Sequence, residues 1–363
     1  MPRIHLSRLH LAAPALALTG FLLTLQPATA EDQLVVASFG GAYTASQSKA
    51  YFEPYMKATA KRILTADYNG GLAELRAQVQ SGNGAWDIID LEMQDAVRAC
   101  DENLIEQIAP EGLAPAPNGT PAKADFIPGT LLRCGVGTIV WSNVIAYDKR
   151  KFSGEPPKTI ADFFDLTKFP GKRGLSNKPN TNLEWSLMAD GVPIDQVYKM
   201  LATKDGLDRA FRKLDTIKGQ AVFWGAHAQA PQLLADGEVV MTAAANGRIQ
   251  DAVTKEGKPF AIIWDGQIWN LDVWSISKAS RNKATSLDFI KFATTAERLA
   301  DQTKWIAYGP VRRSSQPFIA PELGPNMPTA EQNMRNALPN DFEFWADRQD
   351  EINQRWTAWM MRS

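Results

Sequence analysis

The chain has 363 residues, 39 basic and 40 acidic, with a formal net charge of −1 and 45% hydrophobic residues. That near-neutral balance, without a block of lysine and arginine, excludes the electrostatic footprint of a nucleic-acid or anionic-membrane binder. Two cysteines and three histidines, with no CxxC or HExxH spacing, give no zinc signature, and no cofactor motif is present, so neither a metal nor a cofactor is expected.

Residues 1–30 read as a secretory signal peptide. Arg3 and Arg8 form a positive start, 11–25 is an apolar run, and Ala28-Thr29-Ala30 is an A-x-A cleavage site. Pro14, Thr19, Gly20 and Thr24 interrupt that run, against a membrane anchor. The expectation is a periplasmic protein, cleaved after Ala30, whose remainder is long enough for two domains. His5 and His10 leave with the peptide, so His227 alone remains, which weakens any Ser-His-Asp or Cys-His mechanism. In an oxidising compartment the pair Cys100 and Cys134 reads as one disulfide, with two buried thiols as the alternative.

From residue 31 strands and helices alternate. Residues 34–38 form a β-rich run, and Phe39-Gly40-Gly41-Ala42-Tyr43 a glycine turn, before a helix to 55 capped by Thr44 or Ser46. A strand feeding a glycine turn and a helix start is a place to hold a ligand. Leu72, Leu75 and Val79 mark a helix stopped near Gly82. Residues 86–92 form a buried-type strand ending in Glu92, with Gln94 just beyond it, and a helix follows over 95–102. The stretch 110–128 is rich in Pro, Ala and Gly and reads as a loop; 134–141 is a β run that 143–148 extends into a crossover. Helices are expected at 160–165, 182–189, 194–202 and 205–217, a strand at 222–224, a helix at 230–236 and a strand at 239–242. Helices at 283–294, 296–303 and 342–361 complete an α/β chain without internal repeats.

The rest is organised around residues 264–276, WDGQIWNLDVWSI, with three tryptophans and two aspartates at strand-like alternation. Carboxylates beside indole faces make a receptor for a cation; the bland reading is a buried strand and a loop.

Trp86-Asp87-Ile88-Ile89, Asn246-Gly247, Asp265-Gly266-x-Ile268-x-x-Leu271-Asp272-x-x-x-Ile276 and Tyr308-Gly309-Pro310 fall in an order that resembles the periplasmic solute-binding proteins of ABC importers, in the spermidine/putrescine-binding branch. The resemblance covers nearly all of the mature chain. It implies a two-lobed type II periplasmic binding protein, each lobe a central mixed sheet flanked by helices, joined by hinge crossovers that close on a solute. Carried over, residues 31–142 plus 271–313 form one lobe and 143–270 plus 314–363 the other, with both cysteines in the first. The implied partners are a small cationic or zwitterionic solute and an inner-membrane ABC permease, for a monomer that is not an enzyme.

The resemblance also implies a site. Asp272 pairs with an amine, Asp265 stands where the family often has glutamate, Phe39 where it has tryptophan, and Tyr308 matches a cleft tyrosine. Glu92 replaces a small hydroxyl residue and adds negative charge. Gly40, Gly41, Tyr43, Gln94 and Asn246 belong to the same candidate set, and Trp224 and Trp269 read equally as core packing or as cage walls. Two family tryptophans are missing, at Ala245 and Asn270, and Arg248 stands where a guanidinium would pair with a carboxylate, or with Glu92, or lie exposed. The leading expectation is therefore a polyamine such as putrescine or spermidine. The alternative is a solute with both ammonium and carboxylate, such as γ-aminobutyrate or an opine-like compound. A secreted glycosidase using Asp265 and Asp272 is the remote third reading.

Overall fold

The computed structural model of the protein describes residues 33–362; the expected signal peptide, 1–30, lies outside them. Strands β1 (Gln33–Ser38), β2 (Arg62–Asp67) and β3 (Ile88–Glu92) run parallel, with β1 in the middle. The short β4 (Leu131–Leu132) turns back on β5 (Gly135–Asp148), fourteen residues that are buried throughout. A second parallel set follows: β6 (Arg173–Ser176) between β7 (Ala221–Trp224) and β8 (Met241–Ala245). Then comes β9 (Phe260–Ile276), antiparallel to β3 and β5, and two-residue strands β10 (Gly309–Pro310) and β11 (Leu338–Pro339) pair with β5 and β9. The strand order is β2-β1-β3-β9-β5-β8-β6-β7, a mixed sheet flanked by helices, as the α/β reading expects.

Side chains collect into two cores. One gathers β1, β3, the first half of β5, the second half of β9 and helix Lys283–Ala293; the other gathers the second half of β5, β8, the first half of β9 and the C-terminal helix Phe342–Met360. The long strands β5 and β9 therefore run from one core into the other, and β5 shifts register against β9 between Asn143 and Ile145, where it crosses. Helix Lys204–Lys218 shows how sequence builds a wall of the second core. Thr203 accepts the Gly206 N–H at its start, and Leu207, Ala210, Phe211, Leu214 and Ile217 are buried at helical spacing. Trp345, Trp356 and Trp359 of the C-terminal helix are buried there too, each contributing about 5 kcal/mol of transfer free energy before ordering costs.

Cys100 and Cys134 form a disulfide with a Cα–Cα distance of 5.7 Å, at the first core. Closing this loop contributes about 4 kcal/mol on the chain-entropy account. Three local expectations change. Helix Gly41–Gln47 starts before Thr44 and Ser46 and has no side-chain cap; Gly40, at φ 65°, turns the chain into it. The edge strand β2 and the short β6 were not foreseen, and β8 begins at Met241, two residues later than expected.

Candidate ligand-binding site

The carboxyl ends of β1, β3 and β8 meet where β5 and β9 cross between the cores, the position at which open α/β sheets hold ligands. Phe39, Tyr43, Glu92, Arg248, Asp272 and Tyr308 line one pocket there, together with Ile139, Trp141, His227 and Ala245. The space among these side chains, open solvent included, is about 250 Å³, which suits a small solute.

One wall is acidic. Strand alternation puts Asp90 and Glu92 on one face of β3, and Asp272 sits opposite Glu92 in the β3–β9 register. Asp272 accepts the Trp141 indole N–H at 2.7 Å. Burial, then Asp90 and Glu92, push its carboxyl well above the usual range, against the Trp141 bond and Arg248. Burial also raises Glu92, but His227 beside it, Lys178 and the Gln94 amide outweigh that and hold it below the ordinary carboxylate range. Behind them Asp90 accepts from the Tyr43 hydroxyl at 2.8 Å and from the Gln47 amide, and burial pushes its carboxyl up to about 7.

The opposite wall carries a cation. Arg248 projects from the first turn of helix Asn246–Thr254, is 4% exposed, and donates Nη2 to the Phe39 carbonyl at 2.8 Å. Other buried guanidiniums are better satisfied. Arg173 donates to four backbone carbonyls, and Arg312 to Asp125 and two carbonyls. Among the described residues no carboxylate lies within 4.0 Å of Arg248. Gly41 leaves room beside it: a Cβ there would come within 2.9 Å of Nη1, and the guanidinium would have to shift. Tyr308 stacks edge-on to Tyr43 at 5.5 Å, and Gly247 makes room for it, since a Cβ would lie 2.5 Å from its ring.

The remaining wall is aromatic. The His227 ring lies 5.3–6.3 Å from Trp224, Trp141 and Phe39, with Nε2 3.8 Å from Glu92. Burial depresses its pKa in spite of Glu92, so the ring is neutral at pH 7.

Other expected site residues sit elsewhere. Asp265 accepts the Ile160 N–H at the start of helix Ile160–Phe164 and the Asn336 amide, while Gly266, at φ 68°, lets Ile160 pack against the strand. Asp265 and Asp272 are thus separated by roughly 20 Å of strand, too far for a glycosidase pair. Trp269 packs on the first core, and Asn246 bridges the Ser142 N–H and the Ala307 carbonyl as a structural pin. Trp224 and Gln94 line two clefts beyond Glu92, and Gly40 stands against Asp67. Sequence reasoning missed Trp141 and Ile139, which carry no local signal; a cleft-edge role for His227 and the Asp90-x-Glu92 alternation were legible. Among the described residues no His, Cys, Asp and Glu side chains converge to hold a metal ion, and no helix is long and apolar enough to cross a membrane.

A family model described as bacterial extracellular solute-binding protein matches residues 50–331. The chain belongs to that family. This solute-binding protein is 41% identical over 347 residues to a gamma-aminobutyric acid-binding protein of Pseudomonas aeruginosa, covering 96% of each. It is 31% identical to the PBP MotA from A. tumefaciens B6, solved with glucopine, with a TM-score of 0.84 over 91% of this chain and 100% of that one. It is also 31% identical to an ABC transporter substrate-binding protein from Bradyrhizobium japonicum, with a TM-score of 0.80 over 91% and 99%. Its family is one of solute binders, and the Bradyrhizobium relative is the substrate-binding protein of an ABC transporter.

Proposed function

We propose that this protein captures a small zwitterion, γ-aminobutyrate or an opine-like amino acid, in the periplasm and hands it to a membrane permease without turning it over. The observation that carries the reading is Arg248: a buried guanidinium with one backbone acceptor, facing Asp272 and Glu92 across a small pocket. Such a donor fork fits a carboxylate bidentately, while Asp272 and Glu92 receive the ammonium group. A diamine would press its second ammonium on Arg248, so the polyamine expectation ranks behind this one. The relatives that bind gamma-aminobutyric acid and glucopine support the same order.

On this reading the two cores are the lobes, 31–142 plus 271–313 and 143–270 plus 314–363, and β5 and β9 are hinges. Arg248 then reaches across to Phe39, as Lys178 does to the Asn69 carbonyl at 2.8 Å. Arg248→Ala tests the clamp. It should weaken γ-aminobutyrate binding by about a hundredfold or more, because the pocket loses its carboxylate partner, and leave a diamine no weaker. Unchanged affinity for γ-aminobutyrate would remove Arg248 from the site.

A further inference from the structure

We propose that Asp90 is a specificity-determining residue that acts through Asp272: in the ligand-free protein the two share one proton, and the ammonium group of the ligand drives it out. The proposal rests on the reading above that an ammonium group lies beside Asp272. Asp90 does not line the pocket, so it is a positioning residue.

The geometry of charge leads there. Asp90 and Glu92 lie on one face of β3, about 7 Å apart along the strand. Asp272 faces Glu92 in register and lies diagonal to Asp90. The three are 0%, 8% and 3% exposed. The groups that favour their charge are few. His227, from the loop after β7, and Lys178, from the loop after β6, both favour the charge of Glu92. Arg248, from helix Asn246–Thr254, is left for Asp272 and is tied to Phe39. Asp95, from helix Met93–Asp101, adds negative charge near Glu92, and the phenols of Tyr43, Tyr51, Tyr68 and Tyr308 around the cluster are held neutral by burial.

Neighbouring carboxylates away from water do not both ionise. Asp90 receives hydrogen bonds from Tyr43 and Gln47 on Oδ2, while its buried Oδ1 has no hydrogen-bond partner and only the indole N–H of Trp274, its register partner on β9, favours its charge from nearby. Gln47 is itself held by the Ser38 hydroxyl, which donates to its Oε1 at 2.6 Å, so the network cannot turn to serve Oδ1. Protonation removes the cost of that bare anionic oxygen. An ammonium group beside Asp272 supplies the missing cation; the shared proton leaves to solvent and the pair becomes fully ionised. A neutral isostere of the ligand supplies no charge and leaves the proton in place, so it is rejected. Burial raises both carboxyls in the same sense.

Calorimetry of γ-aminobutyrate binding at pH 7, in two buffers of different ionisation enthalpy, counts the released proton. A large fraction of one proton is expected, with Kd tightening by up to about tenfold per pH unit between pH 6 and 8. In Asp90→Asn, which keeps an oxygen for Tyr43, release and slope should both vanish and affinity at pH 6 should rise. Buffer-independent heats and a flat Kd in the unaltered protein, or an unchanged slope in Asp90→Asn, would overturn the proposal. A carbon-13 NMR titration of the aspartate carboxyls in ligand-free protein reads the pair even where the variant does not fold. One step above about pH 6 upholds the shared proton, and two ordinary carboxylates refute it. Failure of γ-aminobutyrate to bind at all would defeat the zwitterion reading instead, and the NMR titration would still decide on Asp90.

Discussion

Gly41→Ala, paired with Gly82→Ala, separates backbone strain from the position of Arg248. Both glycines have left-handed backbones, φ 55° and 66°, where alanine costs about 1–2 kcal/mol. A Cβ on Gly82 meets nothing within 4 Å, whereas one on Gly41 lies 2.9 Å from Arg248 Nη1. Carbon and nitrogen at that range repel, so the guanidinium must retreat by about 0.5 Å or more. A charge-assisted hydrogen bond to a ligand carboxylate is worth about 1.5–3 kcal/mol, so losing its geometry weakens binding by roughly tenfold to 150-fold. Thermal unfolding should show both variants a few degrees less stable. Titration with γ-aminobutyrate should show the loss in Gly41→Ala alone. Equal affinities in the two variants would refute the argument that Gly41 exists to seat Arg248.

The two aspartates of β9 should part company. Asp272→Asn should weaken γ-aminobutyrate binding more than tenfold with the fold intact, while Asp265→Asn should leave affinity alone and cost about 1 kcal/mol of stability in denaturant, through the helix start it caps. Glu184 is buried in the second core, where it accepts from the Trp345 indole at 2.8 Å, and burial pushes its carboxyl up to about 7. Its folded pKa lies above its unfolded one, so the folded state holds the extra proton and stability is lost as pH rises from about 4 to 7. Glu184→Gln should therefore gain up to about 3 kcal/mol at pH 8 and little at pH 4, read by chemical unfolding at both. An equal gain at both pH values would contradict the buried-proton account.

The elements with strong periodicity were legible. Helix Lys204–Lys218 shows its buried stripe in the residue order, and β1, β3 and β9 are apolar runs bounded by turns. β2 was hidden because it is an edge strand with Leu64 40% exposed, and β6, Arg-Gly-Leu-Ser, holds a buried arginine satisfied only by backbone carbonyls of the segment just before it, 163–171. In the site, Phe39, Asp272 and Tyr308 could be placed from a family pattern. The difference between Asp265 and Asp272 could not, because β9 passes through both cores and delivers each aspartate to a different one. Seven residues of strand already forbid a close pair, and that inference was available. The aromatic seat of His227 draws on residues 39, 141 and 224, which no local pattern joins. Arg248 is the instructive case. Sequence left it as a clamp, a partner of Glu92 or an exposed residue; its burial and its lack of a nearby carboxylate among the described residues favour the first.

Calorimetric titration of unfolded-and-refolded, ligand-free protein with γ-aminobutyrate, putrescine and spermidine at low salt tests the central claim most directly. Micromolar or tighter binding of γ-aminobutyrate, with no heat from either polyamine, is the predicted result. Tight binding of putrescine or spermidine with silence from the amino acid would contradict it and return Arg248 to the scaffold.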